Sequence, residues 1–115
     1  MEMSVEIRIE TQSSGAAVVH MAGRLDLLAA GEAKQQLVDA VGSGHKKLVV
    51  DLSEVSFVDS SGLGALISGL KAARLAGGDL RIARAGEQAR VILGLTTLDR
   101  VMRPYETLGE AMTDF

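Results

Sequence analysis

"SFVDSSGLGALI", residues 56–67, is the point in the chain where an apolar run gives way to two adjacent hydroxyls and a pair of glycines. Before it stands "KLVVDL", Lys47–Leu52, a short β-branched run with almost no polar alternation. Such a strand is covered on both faces and belongs at the centre of a sheet. After it, Leu63, Leu66, Ile67, Leu70 and Leu75 recur at helical spacing until Gly77 and Gly78 end the run. The quoted stretch is therefore a strand-to-helix turn, and the elements on either side take their order from it.

Towards the N-terminus, "VEIRI" (Val5–Ile9) alternates as a half-buried strand does, and "GAAVVHMAG" after Ser13-Ser14-Gly15 reads as a second strand, so a hairpin opens the fold. Between Ala29 and Val41, Leu28, Ala33, Leu37, Val38 and Val41 define one apolar helical face, which "GSGH" (Gly42–His45) terminates. Towards the C-terminus, "LRIAR" (Leu80–Arg84) is a strand, "EQARVILGLTTL" a third helix, "RVMRPYE" a final strand and "TLGEAM" a last short helix. Pro104 donates no ladder hydrogen bond and places the final strand at an edge. The order predicts an α/β fold: a mixed sheet of about five strands with about four helices packed on it, in one domain spanning residues 1–115.

Composition narrows the function classes. The chain has 115 residues, 47% hydrophobic, enough for one core, and no cysteine, which excludes disulfides, a thiol nucleophile and thiolate metal sites. No secretory leader pattern opens it, and no apolar stretch approaches the roughly 20 residues that span a bilayer, so a soluble cytoplasmic protein without a membrane role is expected. A net charge of -3 with scattered Lys and Arg, and only three aromatic residues, argue against nucleic acid as a partner.

Asp59, Ser60 and Ser61 are all good helix N-caps, and one suffices. Two serines followed by Gly62 and Gly64 exceed that need, since glycine costs roughly 1 kcal/mol against alanine inside a helix. A hydroxyl at a helix N-terminus sits where free N–H groups favour an anion, so a phosphate there is tolerable, although Asp59 opposes it. The other readings fit less well. Ile67 stands where a dinucleotide fingerprint needs its third glycine, and Val58 and Asp59 precede the serines by two where a nucleophile elbow needs glycine. The histidines, His20 in a strand and His45 in a loop, offer no evident base for a serine hydrolase, and Asp26, Asp51, Glu54 and Asp59 form no compact metal motif. "GRLDLLAA" (Gly23–Ala30), between the second strand and the first helix, is either a strand end with Asp26 as a cap or part of a surface shared with the Ser60 turn.

From "VVHMAGRLDLLAA" through "VDLSEVSFVDSSGLG" to "VILGLTTLDRVMRPYET", the sequence resembles the STAS domains, and among them the bacterial anti-sigma factor antagonists. The resemblance implies a non-enzymatic binding module without a cofactor. Its unmodified form binds an anti-sigma factor that is itself a serine kinase, which frees a sigma factor. Phosphorylation of the serine after the aspartate, Ser60, switches it off, and a serine phosphatase reverses this. Carried over residue by residue, Gly23, Asp26, Asp59, Ser61, Gly62, Leu63 and Gly64 contact the partner, with Leu63 as an exposed apolar group. Leu27-Leu28-Ala29 lacks the polar residues some members carry, and Thr97 stands where several have glycine. A constitutive scaffold or lipid-transport subunit, with Ser60 only structural, is the alternative within the family; a small α/β hydrolase using Ser60 or Ser61 is the alternative outside it.

Overall fold

The computed structural model describes residues 5–115. Val5–Thr11 (β1) and Ala17–Leu25 (β2) pair antiparallel from Val5↔Gly23 to Thr11↔Ala17 and form the opening hairpin. Leu27–Gly42 (α1) leads to Lys47–Val58 (β3), and Ser60–Leu75 (α2) to Asp79–Ala83 (β4). Glu87–Leu95 (α3), a 3₁₀ turn at Leu98–Arg100, Pro104–Tyr105 (β5) and Leu108–Met112 (α4) complete the chain. The sheet order is β1-β2-β3-β4-β5, with β2, β3, β4 and β5 parallel. This is the expected mixed five-stranded α/β sheet with four helices: β3 lies at its centre and Pro104 on an edge strand.

Because β2, β3 and β4 advance in one direction, right-handed crossovers place α1 and α2 on the same face. Ala29, Ala33 and Leu37 of α1 and Leu63, Leu66 and Leu70 of α2 close there over Val19, Met21, Leu48, Val50, Leu52 and Ile82. The alternate residues Val49 and Ala83 face the other way and are covered by Ala111 of α4 with Tyr105, Leu108 and Phe115. Among the described residues, no helix is long and apolar enough to cross a membrane.

Several details differ from the sequence-based expectation. β3 runs on past Leu52 to Val58, and the final strand shrinks to two residues. Leu28 and Leu75, expected on core faces, are 86% and 90% exposed. In α1 the buried row is Ala29, Ala33, Leu37 and Ala40, which leaves Leu28 pointing outward. Leu75 is the last residue of α2, beyond the row that ends at Ala73. Thr97 adopts a left-handed backbone, φ 59°. Glycine meets that conformation without the roughly 1 kcal/mol borne by a residue with a Cβ.

On the sheet face away from α1 and α2, Arg8, His20 and Asp51 stand in register across β1, β2 and β3. Asp51 is 3% exposed. Its carboxylate accepts from Arg84 Nε at 3.1 Å and Nη2 at 2.6 Å and from the Ser53 N–H at 3.0 Å, and lies 2.8 Å from His20 Nδ1. Arg84 reaches it from a left-handed backbone, φ 55°. Burial by itself pushes the Asp51 pKa up, but the Arg84 guanidinium, the Ser53 N–H and the His20 ring outweigh it and bring the value down from 3.8 to about 2. A carboxylate with a depressed folded pKa stabilises the fold above its unfolded pKa and loses that contribution as pH falls through the folded one. We therefore expect Asp51→Asn to cost about 2 kcal/mol at pH 7 and to flatten the loss of stability between pH 4 and pH 2, as read by urea unfolding across that range.

Candidate functional site

Parallel strands that end together deliver their following helices side by side. β2 and β3 stay paired as far as Leu25↔Val58, so the N-termini of α1 and α2 open on the same end of the sheet. Each has an aspartate cap. Asp26 Oδ1 accepts from the Leu28 and Ala29 N–H groups at 3.1 and 3.3 Å. Asp59 does more: Oδ1 accepts from the Gly62 N–H at 2.9 Å, while Oδ2 accepts from the Leu27 N–H of the other helix at 3.0 Å. The Asp59 N–H in turn donates to the Leu25 carbonyl at 3.3 Å. The "GRLD" and "VDSSG" turns thus form one surface, bridged by a single carboxylate between two positive helix ends.

The hydroxyls are not the cap. Ser60 is the first residue of α2 and is exposed; Ser61, beside it, is half-buried. Gly62 is buried, and a Cβ there would stand 2.1 Å from the Leu25 carbonyl oxygen, so its glycine is fixed by packing and not by the partner contact expected of it. Gly64 is exposed with open space around it. Leu63, expected as an exposed apolar contact, is 3% exposed and belongs to the core. The correction has a simple cause: a helix starting at Ser60 carries Leu63, Leu66 and Leu70 inward on one row.

The apolar surface at this end comes instead from Leu27 and Leu28, 72% and 86% exposed, on the turn that Asp59 holds. Gly23, at φ 102°, lies where the β2–β3 register shifts, and this kink turns Arg24 outward over the Phe57 ring at 4.5 Å. Arg24 Nε also donates to Asp26 Oδ2 at 3.3 Å. From α3, Gln88 clamps the end of β3: its Oε1 accepts from the Val58 N–H at 2.8 Å and its Nε2 donates to the Val58 carbonyl at 2.7 Å. Arg24, Phe57 and Gln88 were not singled out by the sequence, and Leu27 and Leu28 were noted there only as a departure from the family and, for Leu28, as a core position. Only the Leu27-Leu28 pair left a trace, as two large apolar residues directly after a capping aspartate.

No hydrolytic triad assembles here. On the sheet face away from α1 and α2, His20 is engaged by Asp51 and, through Nε2 at 3.4 Å, by Glu10. His45 precedes β3 and Ser60 follows it, so the strand separates them by roughly 3.3 Å per residue over its whole length. Among the described residues, no group of three or more His, Asp or Glu side chains converges as metal ligands.

Comparison with known proteins bears on the family and the fold. The STAS domain profile matches residues 7–111. An anti-sigma-B factor antagonist from Listeria monocytogenes is 32% identical over 108 residues, 93% of this chain and 83% of that protein. A Thermotoga maritima relative is 34% identical over 74 residues, 64% of this chain, and the match spans 66% of its length. Among solved structures, an anti-sigma factor antagonist from Mycobacterium paratuberculosis is similar with a TM-score of 0.85 and 31% identity, over 96% of this chain and 92% of that one.

The two glycines of the turn are expected to separate in a stability measurement. Gly62→Ala forces a methyl against backbone and should cost about 1–3 kcal/mol in chemical denaturation, whereas Gly64→Ala should raise stability by about 0.5–1 kcal/mol.

Proposed function

This chain belongs to the STAS domain family, and from that premise we propose that it is an anti-sigma factor antagonist switched by phosphorylation of Ser60. In its unmodified form it binds an anti-sigma factor that is a serine kinase and so frees a sigma factor. The kinase supplies ATP and Mg²⁺, and a serine phosphatase restores the active form. The domain contributes a docking surface and an acceptor hydroxyl, with no cofactor of its own.

The observation that carries this reading is the position of Ser60: an exposed hydroxyl at the head of a helix whose capping is done by its neighbour Asp59. The fold does not draw on Ser60 for its cap, so modification leaves the cap intact. A phosphoserine adds about -1.5 to -2 charges at neutral pH. The positive helix end favours that charge and the Asp59 carboxylate opposes it, so the two local effects offset one another. The bound partner feels the difference, because the added dianion must be desolvated beside Leu27 and Leu28, the apolar part of the surface. Coupling of this kind is typically worth about 1–3 kcal/mol, or roughly tenfold to a hundredfold in affinity.

Incubation with the kinase and ATP should place one phosphate on Ser60, located by peptide mass spectrometry, and Ser60→Ala should abolish it. By titration calorimetry, Ser60→Asp should bind the kinase tenfold to a hundredfold more weakly with an unchanged circular dichroism spectrum. Leu28→Ser should weaken binding in the same direction without preventing phosphorylation at saturating kinase. A Ser60→Asp variant that binds as tightly as the wild type, or a phosphate found only elsewhere, would reject the switch and leave the constitutive scaffold.

A further inference from the structure

The outer edge of β1 lies apart from the Ser60 surface. Among the described residues, β1 pairs with β2 alone, and its other edge carries no strand. Exposed edges are usually protected by proline, a bulge or charged side chains. β1, "VEIRIET", contains no proline or glycine and keeps an unbroken register with β2 over its whole length. Its charges alternate in sign: Glu6, Arg8 and Glu10 follow one another on the open face, with Val5, Ile7 and Ile9 on the helix face.

That pattern selects a partner. We propose that β1 is a self-association edge, on which a second copy of this chain adds its own β1 antiparallel, with Ile7 of the two copies on the twofold axis. In this register Glu6 faces the partner's Arg8 and Arg8 faces the partner's Glu6, so the same ion pair forms on both sides of the axis. On the helix face the partner's Ile9 comes opposite Val5, itself 2% exposed, and beside the half-buried Ile7. Ile9 is 37% exposed in the single chain, and a groove of about 240 Å³ lined by Val5, Ile7, Glu32 and Gln36 runs between the edge and α1 to receive it. An axis through Arg8 would set arginine against arginine and Glu6 against the partner's Glu10, and like charges directly opposite destabilise a pair. An axis through Ile9 would pair Arg8 with the partner's Glu10, a carboxylate already 3.4 Å from His20 and 4.0 Å from the Arg8 of its own chain, and would leave Glu6 without the partner's Arg8.

β2 separates this edge from β3 and the Ser60 turn, so the inference does not depend on the proposed function. Because only one strand is added, a weak and rapidly exchanging dimer is expected. Sedimentation equilibrium of the full chain at low salt, over a wide range of protein concentration, should show a monomer–dimer equilibrium. Arg8→Glu should weaken association about tenfold, and so should Glu6→Arg. The exchanged variant Glu6→Arg with Arg8→Glu should recover the wild-type constant within about threefold, because the pair is restored with its signs reversed. Hydrogen exchange of the β1 amides should slow as wild-type concentration rises and not in the single variants. A wild-type chain that stays monomeric at millimolar concentration, single variants that associate as well as the wild type, or an exchanged pair that fails to recover would each overturn the proposal.

Discussion

One carboxylate sets the geometry at the end of the sheet where α1 and α2 begin. Asp59 accepts hydrogen bonds from the heads of two helices, the Gly62 N–H of α2 and the Leu27 N–H of α1, at 2.9 and 3.0 Å. The first N–H groups of a helix have no partner within it, and the helix dipole makes its head attractive to an anion. A negative group shared between two such heads satisfies donors from each and fixes their separation. Leu27 and Leu28 then point into solvent because the backbone that carries them is held from below. Ser60 lies next to the bridge without forming part of it.

That bridge requires the helices to approach the sheet and each other closely, and small residues make the approach possible. Gly62 lets α2 start directly on the Leu25 carbonyl. Further along α2, a Cβ at Gly69 would come within 2.8 Å of Leu37 Cδ1, so the spacing between the helices is set there as well. On the side of β4, Gln88 stands in for a missing strand, pairing with both polar groups of the Val58 backbone just before the turn. The candidate site therefore rests on packed backbone from three helices and two strands. This is the rigidity that a recognition surface on loop residues needs.

The order of elements could be read from the sequence because each element announces itself locally. "KLVVDL" has no alternation and proved to be the central strand; Pro104 marked an edge; Gly77 and Gly78 closed the helix that follows the serine turn. The facing of individual leucines was less accessible. In α1 three of the four buried positions are alanines, Ala29, Ala33 and Ala40, which give little hydropathy contrast, so the larger Leu28 drew the face to itself. In α2 the helical spacing already put Leu63 in one row with Leu66 and Leu70; it was the resemblance that turned it outward, and the helix that begins at Ser60 keeps it on the inner row. The Asp59–Leu27 bond spans 32 residues and the Asp51–Arg84 pair spans 33, and neither leaves a local trace. Arg84 is the sharper case, since its left-handed backbone occurs at a residue type that gives no warning of it.

The two acidic centres of the molecule divide the work between them. Asp51 is buried, tied to Arg84, Ser53 and His20, and placed midway along β3 on the face away from α1 and α2. Asp59 sits at the end of the same strand, where two helix heads share it. A charge added at Ser60 is next to the second and several residues along the strand from the first, so the ion pair that stabilises the sheet lies outside the region the new charge disturbs most. Interactions between exposed charges fade over a Debye length of about 8 Å in physiological salt, which confines a surface phosphate to its own end of the domain. The buried ion pair of the sheet and the bridge between the helix heads are thereby held by different carboxylates. On the proposed reading, a dianion gained or lost at Ser60 leaves the fold beneath it the same.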